Sequence, residues 1–184
     1  MFLSYLKFWW RSKNEHGVHS PFVFDLVTKC FYERTNYKAY QHLAKQDSKS
    51  KFLYRLGAYF KFDRIFTPDT IDLNHEHALA LETTCTPFKT IEALVNGEHS
   101  ISKTASLIYL NSDTLEPHSM KRLIAHCHRD SVIIIKSIRE TQTQFKQWNQ
   151  LKAFAEISVS IDAFYWGLLF LRTEQLKEHF TIRL

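Results

Sequence analysis

The sequence predicts an α/β protein: a mostly parallel sheet ending in an antiparallel hairpin, preceded by a helical segment. Three observations carry this. Ser131-Val132-Ile133-Ile134-Ile135 is a continuous β-branched run, as expected of a parallel strand buried on both faces. From Arg64 onward, short apolar runs alternate with segments of helical periodicity, as in βα units. The last two runs, Ala155–Ile161 and Trp166–Arg172, are separated only by Asp162-Ala163-Phe164-Tyr165, a gap that suits an antiparallel pair.

The elements follow in order. Phe2, Leu3, Tyr5, Leu6, Trp9 and Trp10 recur at helical spacing, with Lys7, Arg11 and Lys13 beside them, which predicts an amphipathic helix. Ser20 is a good N-cap and Pro21 suits the first helical position; Phe22, Val23, Leu26, Val27, Cys30 and Phe31 then form a wide apolar face. Two further helices are expected around Tyr37–Lys45 and Lys51–Phe60, separated by Asp47-Ser48-Lys49-Ser50. Arg64-Ile65-Phe66-Thr67 reads as a strand bounded by Pro68. Ala78-Leu79-Ala80-Leu81 reads as a second strand ending at Glu82, or else residues 75–81 are a helix and the second strand shrinks to Thr83–Cys85. Thr86 and Pro87 mark a helix start, with Phe88, Ile91, Leu94 and Val95 at helical spacing. Ser106–Leu110 is a strand, Leu115–His128 a helix and Thr141–Phe154 another. Residues 1–62 are expected to be helical and packed on the α/β part, residues 63–184, as one structural unit.

The chain has 184 residues, 45% of them hydrophobic and 15% aromatic, enough for a substantial core. Glycine is scarce, at four residues where average usage of about 7% gives roughly 13. Gly17, Gly57, Gly97 and Gly167 are far apart, so no glycine-rich phosphate loop is possible. The net charge of +5 is uneven. Residues 1–64 carry 12 Lys/Arg against 5 Asp/Glu, a net +7, and residues 65–135 carry 5 against 9, a net −4. A basic N-terminal third can meet RNA or an anionic membrane, or be a solvated helical face. Cys30, Cys85 and Cys127 have neither metal nor redox spacing, which implies reduced thiols and a cytoplasmic protein. No run approaches the roughly 20 apolar residues of a membrane span, and the N-terminus lacks a signal-peptide pattern.

Zinc requires three or four convergent ligands. His75 with His77, and His126 with Cys127 and His128, do not supply them at useful spacing, so no metal site is expected. In nucleotide-binding α/β domains the turn after the first strand carries glycines, and an acid at the end of the second strand takes the ribose hydroxyls. Glu82 stands as that acid; the turn Pro68–Asp72 has no glycine.

These features resemble the class I S-adenosylmethionine-dependent methyltransferases, Rossmann-like proteins whose sheet ends in such a hairpin. More narrowly, the chain is similar to small bacterial methyltransferase-like proteins. The matching residues are His16-Gly17-Val18-His19-Ser20-Pro21-Phe22-Val23-Phe24-Asp25-Leu26-Val27, Val159-Ser160-Ile161-Asp162-Ala163-Phe164-Tyr165-Trp166-Gly167 and Lys177-Glu178-His179-Phe180. The middle resembles the family in fold only. Two departures bear on activity. Thr67-Pro68-Asp69-Thr70-Ile71-Asp72 stands where the family has an acid and a glycine-rich turn, leaving Glu82 as a vestige of the cofactor site. After the strand at Ile133–Ile135, similar proteins place an Asp-Asp-Ile-His-like motif; this chain has Lys136-Ser137-Ile138-Arg139. A protonated lysine does not ligate a hard divalent cation.

The resemblance therefore implies a degenerate, non-catalytic methyltransferase-fold protein that binds a protein partner. It has no catalytic residue and no cofactor, and Asp69, Lys136 and Arg139 form a candidate anion-binding cleft edge. An active enzyme holding S-adenosylmethionine in an atypical site is the alternative. A third reading is an RNA- or ribosome-associated factor using residues 1–64, with peripheral membrane contact through residues 2–13 as a lesser possibility.

Overall fold

The computed structural model describes residues 2–12, 14, 17–43, 47–68, 89–92, 106–112 and 116–184. Its strands are β1 (Arg64–Thr67), β2 (Lys89–Thr90), β3 (Ser106–Asn111), β4 (Val132–Lys136), β5 (Val159–Ala163), β6 (Trp166–Phe170) and β7 (Glu178–Thr181). They form one mixed sheet in the order β2-β1-β3-β4-β6-β5-β7. The pairs β1/β2, β1/β3, β3/β4 and β5/β7 are parallel; β6 is antiparallel to both β4 and β5. The architecture is Rossmann-like.

Side chains alternate across the pleat, so each central strand feeds two cores. Leu107, Tyr109, Val132 and Ile134 enter one, together with Leu168 and Phe170. Ile108, Leu110, Ile133 and Ile135 enter the other, with Leu169. A strand flanked by helices on both faces reads as a near-continuous apolar run, as Leu107–Leu110 of β3 and Val132–Ile135 of β4 do.

The helical residues that precede β1 cover the first face. Ser20 accepts a hydrogen bond from the Val23 amide at 3.4 Å and caps α2 (Pro21–Leu26), with Pro21 at its start. The predicted single helix then widens into a π-helical turn, Val27–Phe31. Arg55 explains how that ending is stabilised: its Nε donates to the Cys30 carbonyl at 2.9 Å and Nη2 to the Phe31 carbonyl at 3.2 Å, satisfying acceptors a helix end leaves open. The helix expected around Tyr37–Lys45 is a short 3-10 turn, Lys38–His42. Asp47–Ser50 does not separate two helices. Asp47 caps α3 (Ser48–Phe60) by accepting from the Ser50 amide at 2.7 Å, and the helix stops where Lys61 turns left-handed at φ 50°. Such a cap contributes about 1 kcal/mol. Leu26, Val27, Phe31, Phe52, Leu53 and Leu56 share their core with the sheet residues above.

The second face carries α4 (Pro117–Ala125) and α5 (Gln142–Lys152). Thr141 and Gln144 form a reciprocal capping box at the start of α5, at 3.1 and 2.7 Å. The expected helix Leu115–His128 is shorter at its described end: His126 is already the C-cap, so His126, Cys127 and His128 are not on a helix.

One further expectation changes. A helix was expected from Thr86 with Phe88, Ile91, Leu94 and Val95 on one face, but Lys89–Thr90 pairs in parallel with Phe66–Thr67 as β2, and Ile91 and Glu92 after it are helical. The proposed strand at Ala78–Leu81, its helical alternative and Glu82 lie outside the described residues, as does Asp69. The C-terminal segment adds β7, an edge strand the sequence reading missed; it follows β5 in parallel, with Glu178 opposite Val159. The α1 helix (Phe2–Arg11) lies against the β5–β6 turn, with the Phe8 ring 5.2 Å and the Tyr5 ring 4.9 Å from that of Phe164. Among the described residues, no helix is long and apolar enough to cross a membrane.

Candidate functional site

In open parallel sheets ligands bind outside the carboxyl ends of the strands, where the strand order reverses. Here β2 and β3 lie on opposite sides of β1, so the reversal falls between β1 and β3, outside Thr67 and Asn111. The carboxyl ends of β3 and β4 are level, with Asn111 opposite Lys136. Of the predicted site residues, Lys136 and Arg139 are described. Lys136 is half-buried at the end of β4.

Beyond Lys136 the chain is tightly tied. Ser137 takes a left-handed φ of 64°. Its amide donates to the Tyr165 carbonyl at 2.7 Å, its hydroxyl lies 2.7 Å from Glu140 Oε1, and its own carbonyl accepts from the buried Ser112 hydroxyl at 3.1 Å. A loop bonded at amide, hydroxyl and carbonyl has little freedom to rearrange around a ligand.

Arg139 is not the open cation that its sequence position suggests. Its guanidinium grips Asp162 with Nε 3.2 Å from Oδ1 and Nη2 2.5 Å from Oδ2. The two side chains are 15% and 5% exposed. Aromatic rings enclose the guanidinium: Phe145 lies 4.1 Å away, Phe8 5.4 Å and Phe164 6.0 Å. Asp162 also accepts from the Phe164 amide at 3.1 Å, which supports the left-handed φ of 64° that Phe164 adopts in the hairpin turn. The carboxylate that pairs with Arg139 comes from the hairpin, 23 residues further along the chain.

One opening adjoins this pair and another adjoins the Phe164 turn beside it. On one side Arg139, Asp162 and Phe8 meet Lys7, Arg11 and Lys152 around a pocket of about 550 Å³ that Thr181 also lines. On the other side of Phe164 a smaller cavity of about 230 Å³ runs between Tyr5, Lys49, Phe52 and Arg183. Burial holds the Lys152 ammonium below the ordinary lysine range; Asp162 acts against that and Arg139 adds to it. His179, whose Nδ1 lies 2.8 Å from the Ser160 hydroxyl, is likewise held low, first by burial and then by Lys152 and Lys177.

No described cysteine is a nucleophile candidate, because burial pushes the Cys30 and Cys127 thiols up to about 12. Among the described residues, no group of three or more His, Cys, Asp or Glu side chains is placed to hold a metal ion. One acid that sequence reasoning passed over is Glu92, exposed and two residues past the end of β2, beside β1. Only knowledge that Lys89–Thr90 is a strand singles it out.

No family model and no curated protein matches the chain. Among solved structures, the cofactor-bound Rv0187 from MTB aligns with 71% of this chain and 82% of its own length, at 10% identity and a TM-score of 0.48.

Proposed function

We propose that the chain is a degenerate relative of the class I methyltransferases that acts by binding a partner and does not transfer methyl groups. The observation that carries this reading is the state of the loop after β4. Methyl transfer needs a held donor and an aligned nucleophile, and a nearby base where that nucleophile starts protonated. The resemblance puts carboxylates after this strand, and this chain has Lys136, Ser137 and Arg139. The Ser137 hydroxyl is engaged by Glu140, and Arg139 is bound to Asp162 beneath three aromatic rings. A lysine, a hydroxyl bonded to Glu140 and a guanidinium paired with Asp162 do not replace the carboxylates that would take a proton or hold a divalent cation. The glycine-free turn Pro68–Asp72 supports the same reading, since side chains at Thr70 and Ile71 would compete with a cofactor for the space close to the backbone.

Calorimetric titration of the full chain with S-adenosylmethionine tests this. No saturable heat is expected at physiological cofactor levels; a dissociation constant in the micromolar range would overturn the reading. The alternative of an active enzyme gains from one feature, Glu92, which follows the strand beside β1 where a ribose-binding acid belongs. Cofactor binding that disappears in Glu92→Gln would establish that alternative.

A further inference from the structure

The pocket beside the Arg139–Asp162 pair has a charge imbalance that its own residues do not resolve. Lys7 and Arg11 lie one helical turn apart on α1, and Lys152 stands in the last turn of α5. With Arg139 they bring four cations to the pocket, against, among the described lining residues, the single carboxylate of Asp162. Both oxygens of that carboxylate already receive Arg139, and Oδ1 also receives the Phe164 amide. The remaining polar lining, Gln142, Asn149 and Thr181, is neutral.

This surplus is partly buried. Lys152 is half-buried, its ammonium 5.8 Å from the Trp148 ring; burial acts against its charge, Asp162 favours it and Arg139 opposes it. His179, two residues before Thr181 on β7, experiences the same positive field from Lys152. Lys7 and Arg11 are exposed, whereas Lys152 sits partly out of water near Arg139, and an anion entering the pocket offsets that like-charge cost while gaining charge-assisted hydrogen bonds.

We propose that this pocket binds a phosphate-bearing anion, with Lys7, Arg11 and Lys152 as its direct contacts and Arg139, held by Asp162, forming the wall. The opening is large enough for a phosphate ester or diphosphate and lies across β4 and β6 from the β1–β3 switch point, so its occupancy is independent of S-adenosylmethionine. Two sources present this chemistry. One is a soluble phosphate ester. The other is a phospholipid headgroup, because α1 also turns Trp10 outward at 88% exposure.

The test is calorimetric titration of the full chain with inorganic pyrophosphate at low salt, run beside flotation with phosphatidylcholine vesicles containing phosphatidic acid. Saturable binding is expected, weakening with salt and about tenfold or more weaker in Lys152→Met and in Lys7→Gln with Arg11→Gln. Lys152→Met removes a cation that the fold disfavours, so it should melt no lower than the parent, and its lost binding is separable from unfolding. Pyrophosphate binding without flotation assigns a soluble ester; flotation that depends on Lys152 assigns a headgroup. Absence of both, or equal affinity in parent and variants, would overturn the proposal.

Discussion

The indole of Trp148 packs directly on Gly167: a Cβ at that glycine would fall 2.7 Å from Cζ3 and 2.9 Å from Cε3. Gly167 lies opposite Ile135 of β4 and Asp162 of β5, in the middle of the antiparallel part of the sheet. Trp148 is fully buried and has no room to withdraw. Glycine here serves close approach between α5 and the sheet, because its φ is not in the left-handed region that an L side chain resists.

Gly167→Ala should therefore destabilise the fold by about 1–3 kcal/mol through overpacking. For a chain of this size each kcal/mol lowers Tm by roughly 2–4 °C. Trp148→Phe should cost stability alone yet partly rescue Gly167→Ala, since the smaller ring vacates the contact. Thermal melts of the four proteins check this; strict additivity would mean that the contact does not constrain the helix.

The Arg139–Asp162 pair predicts a different pattern. Removing one member leaves the other charge buried without its partner, at a cost of about 3–5 kcal/mol. Asp162→Asn and Arg139→Met should each reach that range, and the double variant should lose much less than their sum. Asp162→Asn keeps an oxygen that can accept the Phe164 amide, so its cost reports the lost charge, whereas Asp162→Ala should disrupt the hairpin turn as well. Urea unfolding of the cycle measures the coupling, and a coupling near zero would show that the pair is not what fixes the turn.

His179 predicts a pH dependence whose sign follows from its direction of shift. Its folded value is depressed below the ordinary histidine value of 6.5, so the fold binds its proton less readily than the unfolded chain does. The stability it contributes is present above that value and is lost as pH falls through the folded value. The imidazole is largely exposed, so solvent screening keeps the effect small. His179→Gln should flatten the fall in Tm between about pH 8 and 5 relative to the parent. An identical slope in both proteins would assign the acid sensitivity to other groups.

Much of the fold was legible because it rests on local pattern. The unbroken apolar run of β4, the Ser20-Pro21 helix start, the Thr141 start of α5 and the short link between β5 and β6 each encode their element within a few residues. The π-helical turn at Val27–Phe31 was not legible, because it depends on Arg55, which reaches its carbonyl at Cys30 across 25 residues. Nor was β7: four residues at a sheet edge have weak periodicity, and their strand state exists only because β5 offers a free partner.

By itself the sequence determined the fold class, the two-faced apolar strands, the basic N-terminal third and the absence of a glycine-rich phosphate loop. These follow from composition and from periodicities of 2 and 3.6 residues, which are properties of short segments. Only the tertiary structure decided which charges meet. Sheet register brings Asp162 to Arg139, and the docking of α1 on the hairpin brings Lys7 and Arg11 to Lys152. Those neighbours are set by how elements distant in sequence pack against one another, and local spacing carries no record of that.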